Sequence, residues 1–265
     1  SMHIGAPAVP VVKKGDKVNV GTLIAEAGNG LSSPIYSGVS GTVNGITDLL
    51  MADGRTVPAI TIEADGEQTV CETITPPTIG DKAELIKAIK DSGIVGLGGA
   101  GFPTYAKFTT DKKIETLIIN GAECEPYITS DSITMTKDAE DIVFAIQTLL
   151  KYFQIDKAII GIENNKPNAI SAIKTAIGDN AQISVKVLPS VYPQGGEKVL
   201  IYHTTGKVVP KGKLPIDVGC VVINSTTTAF IGKYIKTGMP LVEKCVTVDG
   251  SAVKEPKNVI VPIGT

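Results

Sequence analysis

The sequence has few of the residues that mark several common kinds of site. Its 265 residues include one arginine, two histidines and four cysteines, and the cysteines lie far apart, at positions 71, 124, 220 and 245. Without a CxxC pair or a Cys/His cluster, we expect neither a metal site nor a disulfide framework. We therefore expect the protein to work in a reducing compartment. The net charge of −2 gives no basic surface for nucleic acid. A phosphate bound here would therefore be held by backbone N–H groups and lysines.

Long apolar stretches are missing as well. No run approaches the roughly 18 residues that a membrane-spanning helix requires, and the N-terminus lacks the charged and then apolar layout of a signal peptide. If the protein works at a membrane, we expect it to do so through partners. The chain starts inside a strand-like pattern and stops at "VIVPIGT" without a capping signal, so we expect it to be a piece of a longer protein.

Residues 1–75 consist of short Val/Ile-rich runs separated by Gly, Pro, Asn and Asp, which predicts an all-β module of short strands and tight turns. Two of these runs, "KKGDKVNVGTLIAE" and "SPIYSGVSGTV", resemble one half of the biotinyl/lipoyl-carrier family, a barrel-sandwich of β-strands. Carriers present a modified lysine on the hairpin between such runs. Here that hairpin, "AGNGLSS" at residues 27–33, contains no lysine. We therefore expect a docking module rather than a swinging arm.

A Pro-rich linker, Thr75–Gly80, leads into a segment of different periodicity. Residues 81–91 place apolar side chains at helical spacing after an aspartate, which predicts a helix. Runs such as "TLIING", "AIIGIE", "ISVKVLP" and "CVVIN" then alternate with helix-like stretches, which predicts an α/β domain with a mainly parallel sheet over residues 76–238. Residues 239–265 are strand-rich around the turn Asp249-Gly250, and we expect them to open a further β-containing domain, truncated here.

A glycine-rich loop, "GLGGAGFPTYAKF", follows the first predicted helix. Gly96, Gly98 and Gly101 satisfy GxGxxG, but a dinucleotide turn needs a strand before it and a long helix after it, and this loop has neither. Dense glycines still allow close approach of a ligand, so a phosphate or flat-ring site and a merely tight turn both remain open. We expect Pro103 to take the first position of a short helix, with Lys107 one turn on and facing the loop.

Three further polar or glycine-rich junctions follow apolar strands. In "NGAECEPYITSD", Glu123 and Glu125 flank Cys124; the two acids could perturb each other's pKa or bind a ligand, and a simple polar turn is the alternative. No histidine is near Cys124 in sequence, which argues against a catalytic thiol. The other two junctions are "VYPQGGEK" and "VVINSTTTAF", whose Asn and Thr are typical helix N-caps. Such junctions at strand ends are where α/β folds bind ligands, and there are more of them here than capping requires.

Taken in order, "GLGGAGFPTYAKF", "INGAECEPYITSD", "YPQGGEKVLIYHTTGKVVPKGKLPIDVG" and "VINSTTTAF" resemble the C subunit of the Rnf complex, the membrane-bound ion-translocating ferredoxin:NAD oxidoreductase. The leading "HIGAPAVPVVKKGDKVNVG" resembles the N-terminal β module of that subunit. More distantly, the junctions resemble the FMN-binding, NADH-oxidising subunit of respiratory complex I. The resemblance implies an FMN-binding fold in which NADH stacks on the flavin, with other Rnf subunits as partners at the cytoplasmic face of the cell membrane, to which this chain would be peripheral.

The resemblance also implies residue roles, motif by motif. The loop around the flavin and dinucleotide would consist of Gly96, Gly98, Gly99, Gly101 and Phe102, with Lys107 near the phosphate. Glu123 and Glu125, expected to act in catalysis, would border the isoalloxazine and nicotinamide together with Asn120 and Cys124. Tyr192, Gly195, Gly196 and Glu197 would continue that wall. Asn224, Thr226 and Thr227 would hold the FMN phosphate or ribityl chain.

Several residues depart from the complex I pattern. Leu97 replaces an arginine, Cys124 replaces a serine, and "GGEK" has one glutamate where complex I has two. Members of the Rnf family continue into a domain with cysteine-ligated [4Fe–4S] clusters, and no such cysteine run occurs here, so we expect clusters only in a missing C-terminal part. Two alternatives stay open: a flavoprotein like the cobalamin reductase of propanediol utilisation, and a non-catalytic docking or assembly module.

Overall fold

The computed structural model describes residues 3–51 and 54–265. Its N-terminal part is all β, as the sequence predicts, and its strands are β1 Val9–Pro10, β2 Lys17–Val18, β3 Leu23–Glu26, β4 Ile35–Tyr36, β5 Gly41–Leu50 and β6 Thr56–Ala64. They form two antiparallel three-stranded sheets, ordered β1-β3-β4 and β2-β5-β6. Val18, Ile24 and Val43, one from each of three strands, pack together as the core of this module.

The loop between β3 and β4 lies where carrier proteins present their lysine. Here Ser32 Oγ donates to the Ala6 carbonyl at 2.8 Å and accepts from the Gly28 N–H at 2.8 Å, which ties the loop to the segment before β1. The Tyr105 hydroxyl, from the second domain, donates to the Gly30 carbonyl at 3.4 Å. The loop is therefore packed against its neighbours rather than extended into solvent.

The second domain contains four parallel strands, in the order β10-β7-β8-β9. The strands are β7 Thr116–Gly121, β8 Lys157–Glu163, β9 Ile183–Leu188 and β10 Cys220–Asn224. The helices are α1 Lys82–Asp91, α2 Ser130–Lys137, α3 Ala139–Phe153, α4 Pro167–Ile177, α5 Glu197–Thr205 and α6 Ser225–Thr237, with short 3-10 turns at Thr104–Lys107 and Pro215–Val218. The predicted α/β domain with a parallel sheet is confirmed.

Helices cover both faces of this sheet because its strands are apolar on both sides. Along β7, Leu117 and Ile119 belong to the larger core, with Ile142 and Ile146 of α3, whereas Ile118 belongs to a second core with side chains of α5. All three β7 side chains are fully buried. Helix α6 packs against α3 on the same face. β7 therefore lies at the centre of the domain, with β10 beside it, and their carboxyl ends open at one edge.

One local expectation needs correction. Pro103 is not the first residue of a helix: the 3-10 turn begins at Thr104, and Pro103 has an extended ψ of 115° because it pairs with Val95 in an isolated β-bridge. The Asn and Thr residues after β10 were expected to act as N-caps, and Asn224 does cap a helix of 13 residues, α6. Its β-branched threonines, which disfavour helix, are concentrated in the first turn.

The last strands, β11 Glu243–Val248 and β12 Lys257–Pro262, form an antiparallel hairpin. The hairpin contacts both earlier parts of the chain: the Thr129 N–H donates to Thr247 Oγ1 at 3.1 Å, and Gly38 of the β module lies against the Val242 carbonyl. A Cβ at Gly38 would be only 2.7 Å from that carbonyl oxygen. The division of the chain at residues 75 and 238 stays a prediction.

Candidate functional site

The four junctions singled out in the sequence meet at the carboxyl ends of β7 and β10, where parallel sheets commonly bind ligands. They surround a cavity of about 760 Å³, here called the site cavity. Residues predicted for the site that line it are Gly96, Gly98, Gly99, Phe102, Lys107, Asn120, Glu123, Glu125, Gly195, Glu197, Asn224 and Thr227. The structure thus brings together side chains and glycines that are up to about 130 residues apart in sequence.

Five predicted site residues do not line the cavity: Gly101, Cys124, Tyr192, Gly196 and Thr226. Cys124 Sγ accepts a hydrogen bond from the Gly195 N–H at 3.3 Å, so the thiol joins two of the junctions. Tyr192 is 75% exposed. The structure therefore does not place these five residues on the cavity surface.

The glycine loop is a closed turn that folds onto the start of α6. The Gly96 N–H donates to the Phe102 carbonyl at 2.8 Å, and the Gly101 N–H donates to the Gly96 carbonyl at 3.2 Å. The Leu97 N–H donates to Thr227 Oγ1 at 3.0 Å. A Cβ at Gly98 would lie 3.0 Å from the Asn224 amide nitrogen, so a larger residue there would have to displace the Asn224 side chain slightly.

The N-terminus of α6 is organised by an acid outside the predicted set, Asp131. Asn224 Oδ1 caps the helix by accepting from the Thr227 N–H at 3.0 Å, while Asn224 Nδ2 donates to Asp131 Oδ2 at 2.7 Å. Thr226 Oγ1 donates to the other oxygen of the same carboxylate. Asp131 lines the cavity, and burial raises the pKa of its carboxyl. Its one signal in the sequence is its place as the last residue of "NGAECEPYITSD".

The two glutamates of that junction differ sharply in environment. Glu123 is 6% exposed, and its carboxylate accepts from the backbone N–H groups of Asp131 at 2.8 Å and Ser132 at 3.2 Å, at the start of α2. Burial raises the pKa of Glu123, and these two hydrogen bonds oppose the rise. Glu125 is exposed and stands at the cavity mouth. The sequence presents the two acids alike, whereas the fold makes one a buried acceptor and the other an accessible charge.

Lys107 supplies a positive charge in the cavity wall. Its Nζ donates to the Val222 carbonyl of β10 at 2.7 Å and to Glu197 Oε1 at 3.0 Å. The side chains of Lys107 and Glu197 are 30% and 43% exposed, so both can still reach a ligand in the cavity. The first residue of α5 therefore holds the one lysine that was predicted for the site.

Residues outside the predicted set also contribute to the wall. Ile4 of the β module lines the cavity, and its N–H donates to the Gly101 carbonyl at 3.0 Å. Thr104 lines it too. Its buried Oγ1 has no hydrogen-bond partner among the residues that the structure describes. No periodic pattern in the sequence indicates that Ile4 or Thr104 lines a cavity, because their positions depend on contacts between distant parts of the chain.

Membrane spans and metal clusters are both missing from the described residues. Among the helices that the structure describes, none is long and apolar enough to cross a membrane. Over the same part of the chain, no group of three or more His, Cys, Asp or Glu side chains could hold a metal ion.

Comparison with known proteins identifies the family of this chain. The model of the Nuo51 FMN-binding domain matches residues 89–233, and the model of the RnfC barrel sandwich hybrid domain matches residues 1–67. Among solved structures, an NAD⁺-reducing [NiFe]-hydrogenase in the H₂-reduced state is similar in fold, with a TM-score of 0.58 and 22% identity over 72% of this chain and 38% of the hydrogenase chain.

Curated relatives are similar over almost the whole chain. The C subunit of the proton-translocating ferredoxin:NAD(+) oxidoreductase complex of Clostridium ljungdahlii is 44% identical over 99% of this chain and 58% of its own length. The C subunit of the Na(+)-translocating ferredoxin:NAD(+) oxidoreductase complex of Acetobacterium woodii is 43% identical over 100% of this chain and 61% of its own length. The chain thus spans about three fifths of these relatives. It belongs to the Nuo51 FMN-binding domain family, carries an RnfC-type barrel sandwich ahead of that domain, and has C subunits of ferredoxin:NAD(+) oxidoreductase complexes as relatives over nearly its whole length.

Proposed function

We propose that this chain binds FMN in the site cavity and that electrons pass there between NAD(H) and the flavin. The observation that carries the proposal is the convergence of all four junctions on one cavity, inside a domain whose family is named for FMN binding. Bound FMN would supply the electron-accepting chemistry, and the protein would supply position and electrostatics.

The residues present fit this cofactor. The glycines of the loop have no side chains that would block a ligand. A Cβ at Gly99 would meet no protein atom within 4 Å, so the loop surface at Gly99 is open to a flat ring. Phe102 and Ile223 add apolar wall. Lys107 and the N-terminus of α6, with Asn224 and Thr227, are the features suited to a phosphate or to ribityl hydroxyls. Thr226, expected to join them, would act through Asp131, to which its hydroxyl donates. The ring-facing wall would be supported by Asn120, Cys124, Tyr192, Gly195 and Gly196.

The two glutamates divide the remaining work in this proposal. Glu123, held by the N-terminus of α2, would keep a fixed acceptor beside the flavin. Glu125, exposed at the mouth, would meet the nicotinamide part of NAD(H), together with Glu197. Both roles are orienting ones: the carboxylates bind and align groups while the electrons pass between the two ring systems.

In a wider setting, we propose that the chain is the electron-entry part of an Rnf-type complex at the cytoplasmic face of the membrane. The names of the relatives, which belong to ferredoxin:NAD(+) oxidoreductase complexes, support partners of that kind. The [4Fe–4S] clusters that would carry electrons onward are proposed for sequence beyond the part matched here. The two relatives translocate different ions by name, so the coupling ion would be set elsewhere in the complex.

The proposal is tested by reconstitution. Purified protein is incubated with FMN and desalted; the expected result is retained flavin absorbance and a higher melting temperature, since a ligand that binds only the folded state stabilises it. NADH added without oxygen should then bleach the flavin. Protein that retains no flavin refutes the proposal, while retained flavin that NADH does not bleach refutes only the NAD(H) part.

A further inference from the structure

A buried ion pair lies directly behind the site cavity and has no part in the roles proposed above. Lys166 is 9% exposed and Glu163 is 2% exposed, and Lys166 Nζ lies 2.9 Å from Glu163 Oε2. Glu163 ends β8 at the same edge of the sheet as the cavity, and Lys166 precedes α4. The other lysines with ion pairs described in the structure are 30% exposed or more at the side chain, so this pair is unlike its counterparts.

The ammonium group of Lys166 has three protons and three acceptors around it. Besides Glu163 Oε2, it donates to Asn165 Oδ1 at 3.3 Å and to the backbone carbonyl of Glu123 at 3.0 Å. Removing two charges from water costs several kcal/mol per ion, and a well-packed apolar pair is often at least as stable. Stability alone is therefore a weak reason for a charged pair at this position.

The third acceptor supplies a better reason. Glu123 is held from one side by α2, whose first N–H groups bind its carboxylate, and from the other side by Lys166, which binds its carbonyl. Because both the side-chain carboxylate and the backbone carbonyl of Glu123 are held, the turn that carries Cys124 and Glu125 is held as well. That turn forms one wall of the site cavity.

We propose that Lys166 is a positioning residue, which sets the Glu123–Glu125 turn against the bound flavin by holding the Glu123 carbonyl, and that Glu163 serves to keep the ammonium in place. The inference rests on the proposed function, since the turn is positioned relative to FMN. Lys166 itself does not line the cavity.

The test separates position from stability with two variants. Lys166→Met removes the donor and leaves Glu163 as a buried charge, so it should lose stability and bind FMN about tenfold more weakly. The double variant Glu163→Leu with Lys166→Met removes both charges. Its melting temperature without FMN should return close to that of the unaltered chain, while FMN binding, measured by flavin fluorescence titration, stays about tenfold weaker.

Two controls complete the design. Glu163→Gln keeps an acceptor for Lys166 and should lower the melting temperature while leaving FMN affinity near that of the unaltered chain. Lys113→Met breaks an exposed lysine–aspartate pair at the opposite edge of the sheet, with Asp156, and should change neither quantity appreciably.

The inference is overturned if the double variant recovers both stability and FMN affinity, because Lys166 would then be purely structural. A double variant that does not fold overturns it too, since the pair would be indispensable to the fold itself. If the unaltered chain does not bind FMN, the proposed function fails and the inference fails with it. If the unaltered chain binds and the variants depart from the expected pattern, only the positioning role is lost.

Discussion

The parallel strands of the sheet begin on one side, here called the amino edge, and end on the other, here called the carboxyl edge. At the two ends of β7, these edges carry the same residue types in opposite environments. Just before the strand, Glu115 is exposed and pairs with Lys207, whose hydrogen bond lowers the pKa of the Glu115 carboxyl. Just after it, Glu123 is buried, and burial raises the pKa of that carboxyl. Of these two glutamates, the one at the amino edge is therefore a surface charge and the one at the carboxyl edge is part of the interior.

The same contrast holds for lysines. At the amino edge, the side chains of Lys113 and Asp156 are 68% and 62% exposed, and such pairs contribute little to stability. At the carboxyl edge, Lys166 is buried and saturated with acceptors, and Lys107 is bound to a strand carbonyl in the cavity wall. Fixed donors and acceptors at one edge are what a binding site requires, because a group that is already oriented need not be ordered when the ligand arrives.

The largest effect is expected from adding a methyl group at the carboxyl edge. A Cβ at Gly195 would lie 2.4 Å from the Ala122 carbonyl oxygen, so Gly195→Ala must move one cavity wall. We expect FMN affinity to fall about a hundredfold, which titration of flavin fluorescence would measure. The matched control is Gly219→Ala at the amino edge, where φ is +72° and the close atoms belong to the Glu115 side chain. That variant should lose stability without a selective loss of FMN binding.

A smaller effect is expected for the cavity lysine. Lys107→Ala removes the positive charge proposed to serve the phosphate, so FMN should bind about tenfold more weakly, as expected for the loss of one charge-assisted hydrogen bond. Riboflavin, which has no phosphate, should lose much less. Parallel titrations with the two flavins measure the difference, and Lys113→Ala is the control. An equal loss for both flavins would place Lys107 away from the phosphate.

The two glutamates at the ends of β7 should show opposite pH dependence. Because the pKa of folded Glu123 is raised, the proton is held more tightly in the folded state, so this residue contributes stability below its unfolded pKa of about 4.3 and loses it as pH rises through the folded value. Glu123→Gln should therefore gain melting temperature relative to the unaltered chain as pH rises, in thermal melts without FMN.

Glu115 provides the opposite case. Its lowered pKa means that its contribution is present above the unfolded value and is lost as pH falls. Glu115→Gln should therefore lose melting temperature relative to the unaltered chain at neutral pH and match it in acid, by a small amount because the group is exposed. Identical pH trends for the two variants would contradict the contrast between the edges.

The smallest effect is expected for the exposed pair at the amino edge. Lys113→Met should change the free energy of unfolding by no more than about 0.5 kcal/mol, measured by denaturant titration. A loss of several kcal/mol would show that the amino edge depends on its charges as strongly as the carboxyl edge does.

Much of this architecture could be predicted from the sequence. The alternation of apolar runs with helix-like stretches predicted the parallel sheet, because strands that are buried on both faces have continuous apolar runs such as "TLII". The rule that ligands bind at the carboxyl ends of parallel strands then marked the polar junctions as candidate ligand sites, and the structure brings them to one cavity. The density of glycine in the loop predicted close approach of a ligand, which stays a prediction, whereas the close approach of Gly98 to Asn224 was not foreseen.

Other features were not predictable in the same way. Asp131 and Lys166 look like ordinary helix-start residues in the sequence, and their importance comes from partners 93 and 43 positions away. The difference between Glu123 and Glu125 depends on where the start of α2 lies after folding. The length of α6 was missed because its first turn is rich in threonine, whose propensity is low, while the helix is stabilised by packing against α3.

The hydrogen bond from Ile4 to the Gly101 carbonyl has a consequence for cooperativity. Because Ile4 belongs to the β module and yet lines the cavity, a ligand there touches two modules at once and stabilises them only in their docked arrangement. By thermodynamic linkage, docking of the module and filling of the cavity must favour each other to the same degree. If FMN binds there as proposed, the β module contributes to its affinity although the module carries no lysine on its β3–β4 loop.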